Sequence, residues 1–242
     1  MNLSTYPSQT LLKCFKWFNV LILIQLFSLS CSAQEIKDLA CDHVNKLKNG
    51  TLIIVLETQS KRIALIERLI QKPGVSEKEK IRYQKLLSSE LSYRDTSWYY
   101  TILGFKNLYK FSPIAFIMDT SLRCFLDHPG SCKYYDSSLN PINSNISGPV
   151  YIAQYGHIFE NMGTNLTDAW YIMDSKMNRL SSPFPEQIKF SFFNPSFIYK
   201  LPKSFLQENH LSSVKAKHKP LVYAYKMDRL LSKYYKKAGR CD

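Results

Sequence analysis

Two apolar runs of the chain end alike, Phe116-Ile-Met-Asp119 and Tyr171-Ile-Met-Asp174. Carboxylates at the ends of neighbouring strands can hold a divalent cation through oxygen ligands. Asp after a strand more commonly starts an Asx turn, its side chain accepting from the backbone two residues on, and that plainer use is the expectation here. A third run, Val150 to Gln154, leads into Tyr155-Gly156-His157 and Glu160, where a polar loop is expected. His157 and Glu160 have the spacing of a general base with its orienting carboxylate, or of two metal ligands. HxxE without a second motif is a weak signature, and an exposed or structural histidine accounts for it more simply.

Ser212-Ser213-Val214-Lys215 fits the SxxK spacing of penicillin-recognising enzymes, but their SDN and KTG elements are missing. The pairs Asp42-His43 and Asp127-His128 point apart in regular structure and carry no catalytic reading. No GxSxG, HExxH, GxxxxGK[ST], GxGxxG or EF-hand pattern occurs, so no hydrolase, metalloprotease, nucleotide-binding or calcium-loop signature is available. No cofactor is implied.

The first residues have another purpose. Lys13 and Lys16 precede an apolar run from Trp17 to Leu29, and Ser30, Cys31, Ser32 and Ala33 follow, which is the pattern of a signal peptide cleaved between Ala33 and Gln34. The run is short of the roughly 20 residues that span a bilayer. The alternatives are an outer-membrane lipoprotein acylated on Cys31, disfavoured by Ser28 where a lipobox wants Leu, or an uncleaved anchor. Only these would bring the chain to a membrane.

Export changes what the cysteines mean. Cys41, Cys124, Cys132 and Cys241 lie beyond the leader, an even number suited to disulfides in an oxidising compartment. Cys124 and Cys132 flank the His128-Pro129-Gly130 turn, while Cys41 and Cys241 sit near the two ends, so the expected pairs are Cys124 with Cys132 and Cys41 with Cys241. The spacings contain no CxxC, which speaks against a metal site. Sequons at Asn49, Asn145 and Asn165 are short enough to arise by chance.

The whole chain of 242 residues has a formal charge of +13. From Gln187 onward twelve Lys and Arg face Glu208, Asp228 and Asp242. Such a balance favours an anionic polymer or an envelope protein as partner, although scattered lysines also make an ordinary solvated helix face. Nucleic acid is not expected. Tyrosines such as Tyr93, Tyr99, Tyr100, Tyr223 and Tyr225, mixed with cations, can stack sugars or bases, and more often line a core boundary.

Periodicity supplies the elements that must position these groups. Helices are expected over Glu35 to Lys48, Ser60 to Gln71, from Ser76 (capping box with Glu79) through Leu91, and over Leu221 to Lys237. A further helix is expected from Thr96 to Asn107, with Gly104 against it, and a second capping box at Ser204 and Gln207. Thr51 to Thr58, unalternating and β-branched, reads as a strand buried on both faces. Ile114 to Asp119, Val150 to Gln154, Ala169 to Asp174 and Gln187 to Phe193 read as further strands, and Asp127 to Pro149 as a long loop or lid. Residues 1–33 are then a signal peptide and 34–242 one α/β or α+β domain, three-layered, with a small central mixed sheet flanked by helices.

LKNGTLIIVLETQSKRI (Leu47 to Ile63), AWYIMDSKMNRL (Ala169 to Leu180) with the following Pro183-Phe184-Pro185, and the leader ending SCSAQ together resemble functionally unassigned exported proteins of Bacteroidetes. The resemblance implies a cell-envelope or secreted location, periplasmic or beyond, and carries over no site. The expected function is a non-enzymatic binding module with a basic C-terminal face. The alternative is an envelope enzyme using Asp119, His157, Glu160 and Asp174 around a strand-end cleft.

Overall fold

A computed structural model describes residues 37–242, apart from 129–130, 143–145, 147, 161–164, 181, 183, 186, 190–200, 210–215 and 239–242. For 157–160, 165–167, 216 and 238 it describes the backbone alone. The leader, Cys241 and the Ser212 to Lys215 motif therefore lie outside the described residues.

The chain first forms helix α1 (37–49) and then strand β1 (Thr51–Leu56). Ile53, Ile54, Val55 and Leu56 are buried, as expected of an unalternating β-branched run. Each such side chain contributes roughly 1.5–3 kcal/mol by leaving water. That two-sided burial puts β1 at the centre of a seven-stranded sheet of order β4-β3-β2-β1-β5-β6-β7. β1 pairs in parallel with β2 (Ile114–Met118) and with β5 (Val150–Glu160). Antiparallel pairs extend the sheet through β6 (Asn165–Met173) and β7 (Gln187–Lys189) on one side, and through β3 (Tyr134–Tyr135) and β4 (Pro141–Ile142) on the other. The fold is thus α/β or α+β, an open mixed sheet with helices around it.

On one face Leu52, Ile54, Phe116, Trp170, Ile172 and Ile188 pack under α1, α3 (Glu77–Leu108) and α6 (Lys219–Ala238). On the other, Ile53, Val55, Ile117 and Ile152 are covered by the short α4 (Leu122–Asp127) and by the region around Cys132 and Tyr134. A third apolar cluster joins Leu108 to Leu221 and Val222 of α6 and to Leu201 and Phe205, the latter in α5 (Lys203–Glu208).

Several expectations are corrected. The helix from Thr96 is the second half of α3, one 32-residue helix capped by the predicted Ser76 and Glu79 box. Gly104 does not weaken it: a Cβ there would lie 3.1 Å from the Leu221 backbone, so the glycine lets α6 cross closely. The Ser204 and Gln207 box does not form, because both residues lie inside α5, which has no side-chain cap. The region from Asp127 to Pro149 contains the β3–β4 hairpin, and β5 continues through Glu160 in register with β6, so no loop begins at Tyr155. β7 is described through Lys189; the rest of that predicted strand lies outside the described residues.

α2 (Ser60–Gln71) and the first half of α3 make a helical hairpin tied by Arg62 to the buried Glu90 at 2.8 Å. At 1.5 Å per residue α3 is about 48 Å long, and its second half reaches the sheet.

Candidate functional site

Asp119 and Asp174 sit at opposite edges of the sheet. Asp119 follows β2 at the carboxyl edge of the parallel strands, next to the row pairing Leu56 with Met118. Asp174 follows β6, which runs antiparallel to β5, and so lies beside Tyr151 at the amino edge. Five rows separate the two, roughly 16 Å along the strands at 3.3 Å per residue. The structure does not bring them together: Asp174 is engaged by its own loop, and Asp119 by Thr58 beyond β1 and by the next amide.

Asp119 Oδ1 accepts from the Thr58 amide at 3.1 Å, the Thr58 hydroxyl at 2.6 Å and the Thr120 amide at 2.8 Å. It fastens the turn from β1 into α2, in which Gln59 has φ 55. Asp174 Oδ1 accepts from the amides of Lys176 and Asn178 at 2.9 and 2.8 Å, and its Oδ2 from the Asn178 side-chain amide at 3.0 Å. This is the turn use of the residue. His157 and Glu160 belong to β5 in register with Asp168 and Asn165, and their side chains lie outside the described residues.

Asp174 has a structural twin that is not Asp119. In Asp136-Ser137-Ser138-Leu139-Asn140 the Asp136 carboxylate takes the amides of Ser138 and Asn140 and the Asn140 side chain, as Asp174-Ser175-Lys176-Met177-Asn178 does. Leu139 and Met177 occupy the same left-handed conformation, φ 60 and 61. These are three-residue hairpin loops with a bulge residue at positive φ, and the amide bonds hold the Asp136 carboxyl below its usual range. Asn and Gly are the usual bulge residues; here Leu139 and Met177 offset the strain by packing on the two core clusters.

A cleft opens elsewhere, at the carboxyl edge between β1 and β5. The link after β1 leads towards β2 and the link after β5 towards β6, so the loops part there, as at the switch points where open sheets bind ligands. The cavity measures about 310 Å³. Three elements supply its lining at regular spacings. Tyr93, Ser97 and Thr101 come one helical turn apart from α3, Lys219 and Tyr223 likewise from α6, and Asp168 and Trp170 from alternate positions of β6. Glu57 follows β1, Tyr155 opposes Trp170 across the β5–β6 pair, and Trp98 and Lys217 stand in the wall with Val55, Leu56, Thr96 and Pro220.

Trp170 and Tyr223, 3% and 1% exposed, form the floor, whereas Tyr93, 61% exposed, stands at the rim. Donors converge on Asp168. Lys219 Nζ lies 3.1 Å from its Oδ2, the Tyr155 hydroxyl bonds its side chain, and the Tyr223 hydroxyl donates to its carbonyl oxygen at 3.1 Å. Burial first, and the negative Asp168 second, raise both tyrosines, so they stay protonated and act as donors. The Trp98 indole donates to the Glu57 carbonyl at 2.7 Å, which fixes its ring, and Arg94 lies 5.3 Å from that ring. The Lys217 ammonium lies 5.8 Å from the centroid of Tyr100.

The sequence reading included Tyr93, Tyr223, Lys217 and Lys219 only within a scatter of tyrosines and lysines, and missed Asp168. Its signal was the alternation Asp168-Ala169-Trp170, which puts acid and indole on one face of a strand. Among the described residues no group of His, Cys, Asp and Glu is arranged to hold a metal ion.

Cys124 and Cys132 stand at disulfide distance across the turn, with Cα atoms 5.9 Å apart. Cys41 is disulfide-bonded, while its expected partner Cys241 lies outside the described residues. The late cations divide. Lys219 belongs to the cleft and Lys226 reaches the Lys189 carbonyl at 2.6 Å, whereas Arg229, Lys233, Lys236 and Lys237 are exposed along one side of α6. Among the described residues no helix is long and apolar enough to cross a membrane. The chain matches no family model, no curated protein and no solved structure, so the site is read from its own geometry.

Proposed function

We propose that this chain is an exported binding protein that takes a small polar ring compound into the cleft between β1 and β5. The observation that carries the reading is the cleft itself. Five aromatic residues and four charged side chains converge where the strand connections part, the combination of apolar wall and few oriented polar groups that ligand sites use. Its donors are turned on Asp168 rather than on a nucleophile, which favours holding a ligand over transforming it.

Ser97→Trp fills the cleft from a partly exposed helix position. In a ligand-observed NMR screen of hexoses, nucleosides and aromatic acids, the wild-type chain is expected to bind members that Ser97→Trp, with unchanged circular dichroism, does not. Equal binding by both chains, or by neither, overturns the reading.

The leader and the Cys124 and Cys132 pair support export to an oxidising compartment. Mass spectrometry is expected to find a mature chain beginning at Gln34, and an intact Met1 refutes that.

A second reading has its own observation. Arg229, Lys233, Lys236 and Lys237 recur at helical spacing on the outside of α6, and the neighbouring Asp228 carboxylate is engaged by the Lys110 amide at 2.7 Å. This basic stripe suits an anionic polymer. Lys233→Glu with Lys236→Glu is expected to lower the salt needed for elution from a heparin matrix, and an unchanged elution removes it.

A further inference from the structure

We infer that the ligand of the cleft is a neutral saccharide ring; the inference rests on the cleft being a ligand site. Four properties of the lining narrow the class. The first is charge. Glu57 and Asp168 balance Lys217 and Lys219, so a ligand with net charge gains little from the site and would have to compete with the 3.1 Å pair of Lys219 and Asp168. The second is polarity. An apolar ligand would strip water from four charged groups and return no hydrogen bonds, whereas vicinal hydroxyls donate to carboxylates and accept from ammonium groups at once.

The third property is the disposition of the rings. Tyr155 is tilted by 58° to Trp170 and by 68° to Tyr223, with centroids 6.2 Å apart in both pairs. These rings do not form two parallel walls between which a planar base could be sandwiched. A puckered pyranose presents an apolar C–H face to one ring and hydroxyl edges to the rest of the wall, which suits tilted rings with polar groups between them. The fourth is size. A cavity of about 310 Å³ lies at the small end of the range of ligand pockets, which suits a single polyol ring. Trp98 is the expected platform, because its bond to the Glu57 carbonyl fixes the indole at the cleft wall.

The test is isothermal titration with glucose, galactose, N-acetylglucosamine, glucuronate and adenosine. One or more of the three neutral sugars is expected to bind at least about tenfold more tightly than glucuronate or adenosine, and Trp98→Ala to lose about tenfold in affinity for it while Trp98→Phe keeps most of it. If glucuronate or adenosine binds best, and Ser97→Trp abolishes that binding, the saccharide assignment is overturned and the cleft stands as a ligand site. If none of the five binds, the assignment is likewise overturned; failure of the broader screen on wild-type and Ser97→Trp chains is what removes the cleft reading itself.

Discussion

The two edges of the sheet use the same residue types to opposite ends. At the amino edge the carboxylates of Asp136 and Asp174 are saturated by amides within four residues in sequence, closing two hairpin loops of one design. At the carboxyl edge the Asp168 carboxylate meets Tyr155 from the neighbouring strand β5 and Lys219 from the distant α6, groups of other elements. A carboxylate held by its own loop is committed to shape. One held by side chains from other elements can exchange those partners for a ligand's hydroxyls at little cost to the fold.

This contrast can be broken most severely at the amino edge. Asp174→Ala removes three hydrogen bonds to a charged acceptor and is expected to cost about 2 kcal/mol, lowering Tm by about 5 °C, with the affinity of the cleft unchanged. A loss of binding equal to the loss of stability would show that the edges are not separable. At the carboxyl edge Lys219→Met breaks a pair in which both side chains are mostly shielded, and is expected to cost about 1 kcal/mol while ligand binding, measured by titration, falls far more than Tm. A Tm loss larger than that of Asp174→Ala would reverse the comparison.

The smallest effect is a pH dependence. His43, bonded to the Tyr151 hydroxyl at 2.9 Å near Asp42, Lys46 and Asp174 at the amino edge, is held below its usual value of 6.5 by burial. The unfolded chain therefore takes up that proton first. The stability owed to neutral His43 is complete above about 6.5 and declines as pH falls below it. A modest fall in Tm between about pH 7.5 and 5.5, absent from His43→Gln, is expected. Tyr155 and Tyr223, raised by burial, stay protonated over the same interval, so the charge of the tyrosines in the cleft does not change.

Much of the fold was legible because its signals are local. The unalternating run of β1, the Ser76 and Glu79 box and the apolar face of α6 each lie within a few residues. Gly104 misled because its purpose lies in another helix, and a glycine that admits α6 looks in sequence like one that ends α3. The likeness of the runs ending at Asp119 and Asp174 carried little, and the turn use expected of these residues is what Asp174 shows. The likeness described two buried strands, while the repeat with structural meaning was the DSxxN of the loops at Asp136 and Asp174. Asp168 escaped notice because no spacing links it to Lys219 or Tyr155; only the β5–β6 register and the crossing of α6 do.

The placement of β1 sets a timetable for assembly. Its two parallel partners, through Leu52 with Ile114 and Thr51 with Val150, lie far along the chain. The cleft then spans residues from Val55 to Tyr223, so it cannot exist until α6 has docked. Contacts of such long sequence separation slow folding. The appearance of ligand binding during refolding is therefore a late event that reports completion of the whole chain rather than of any one part.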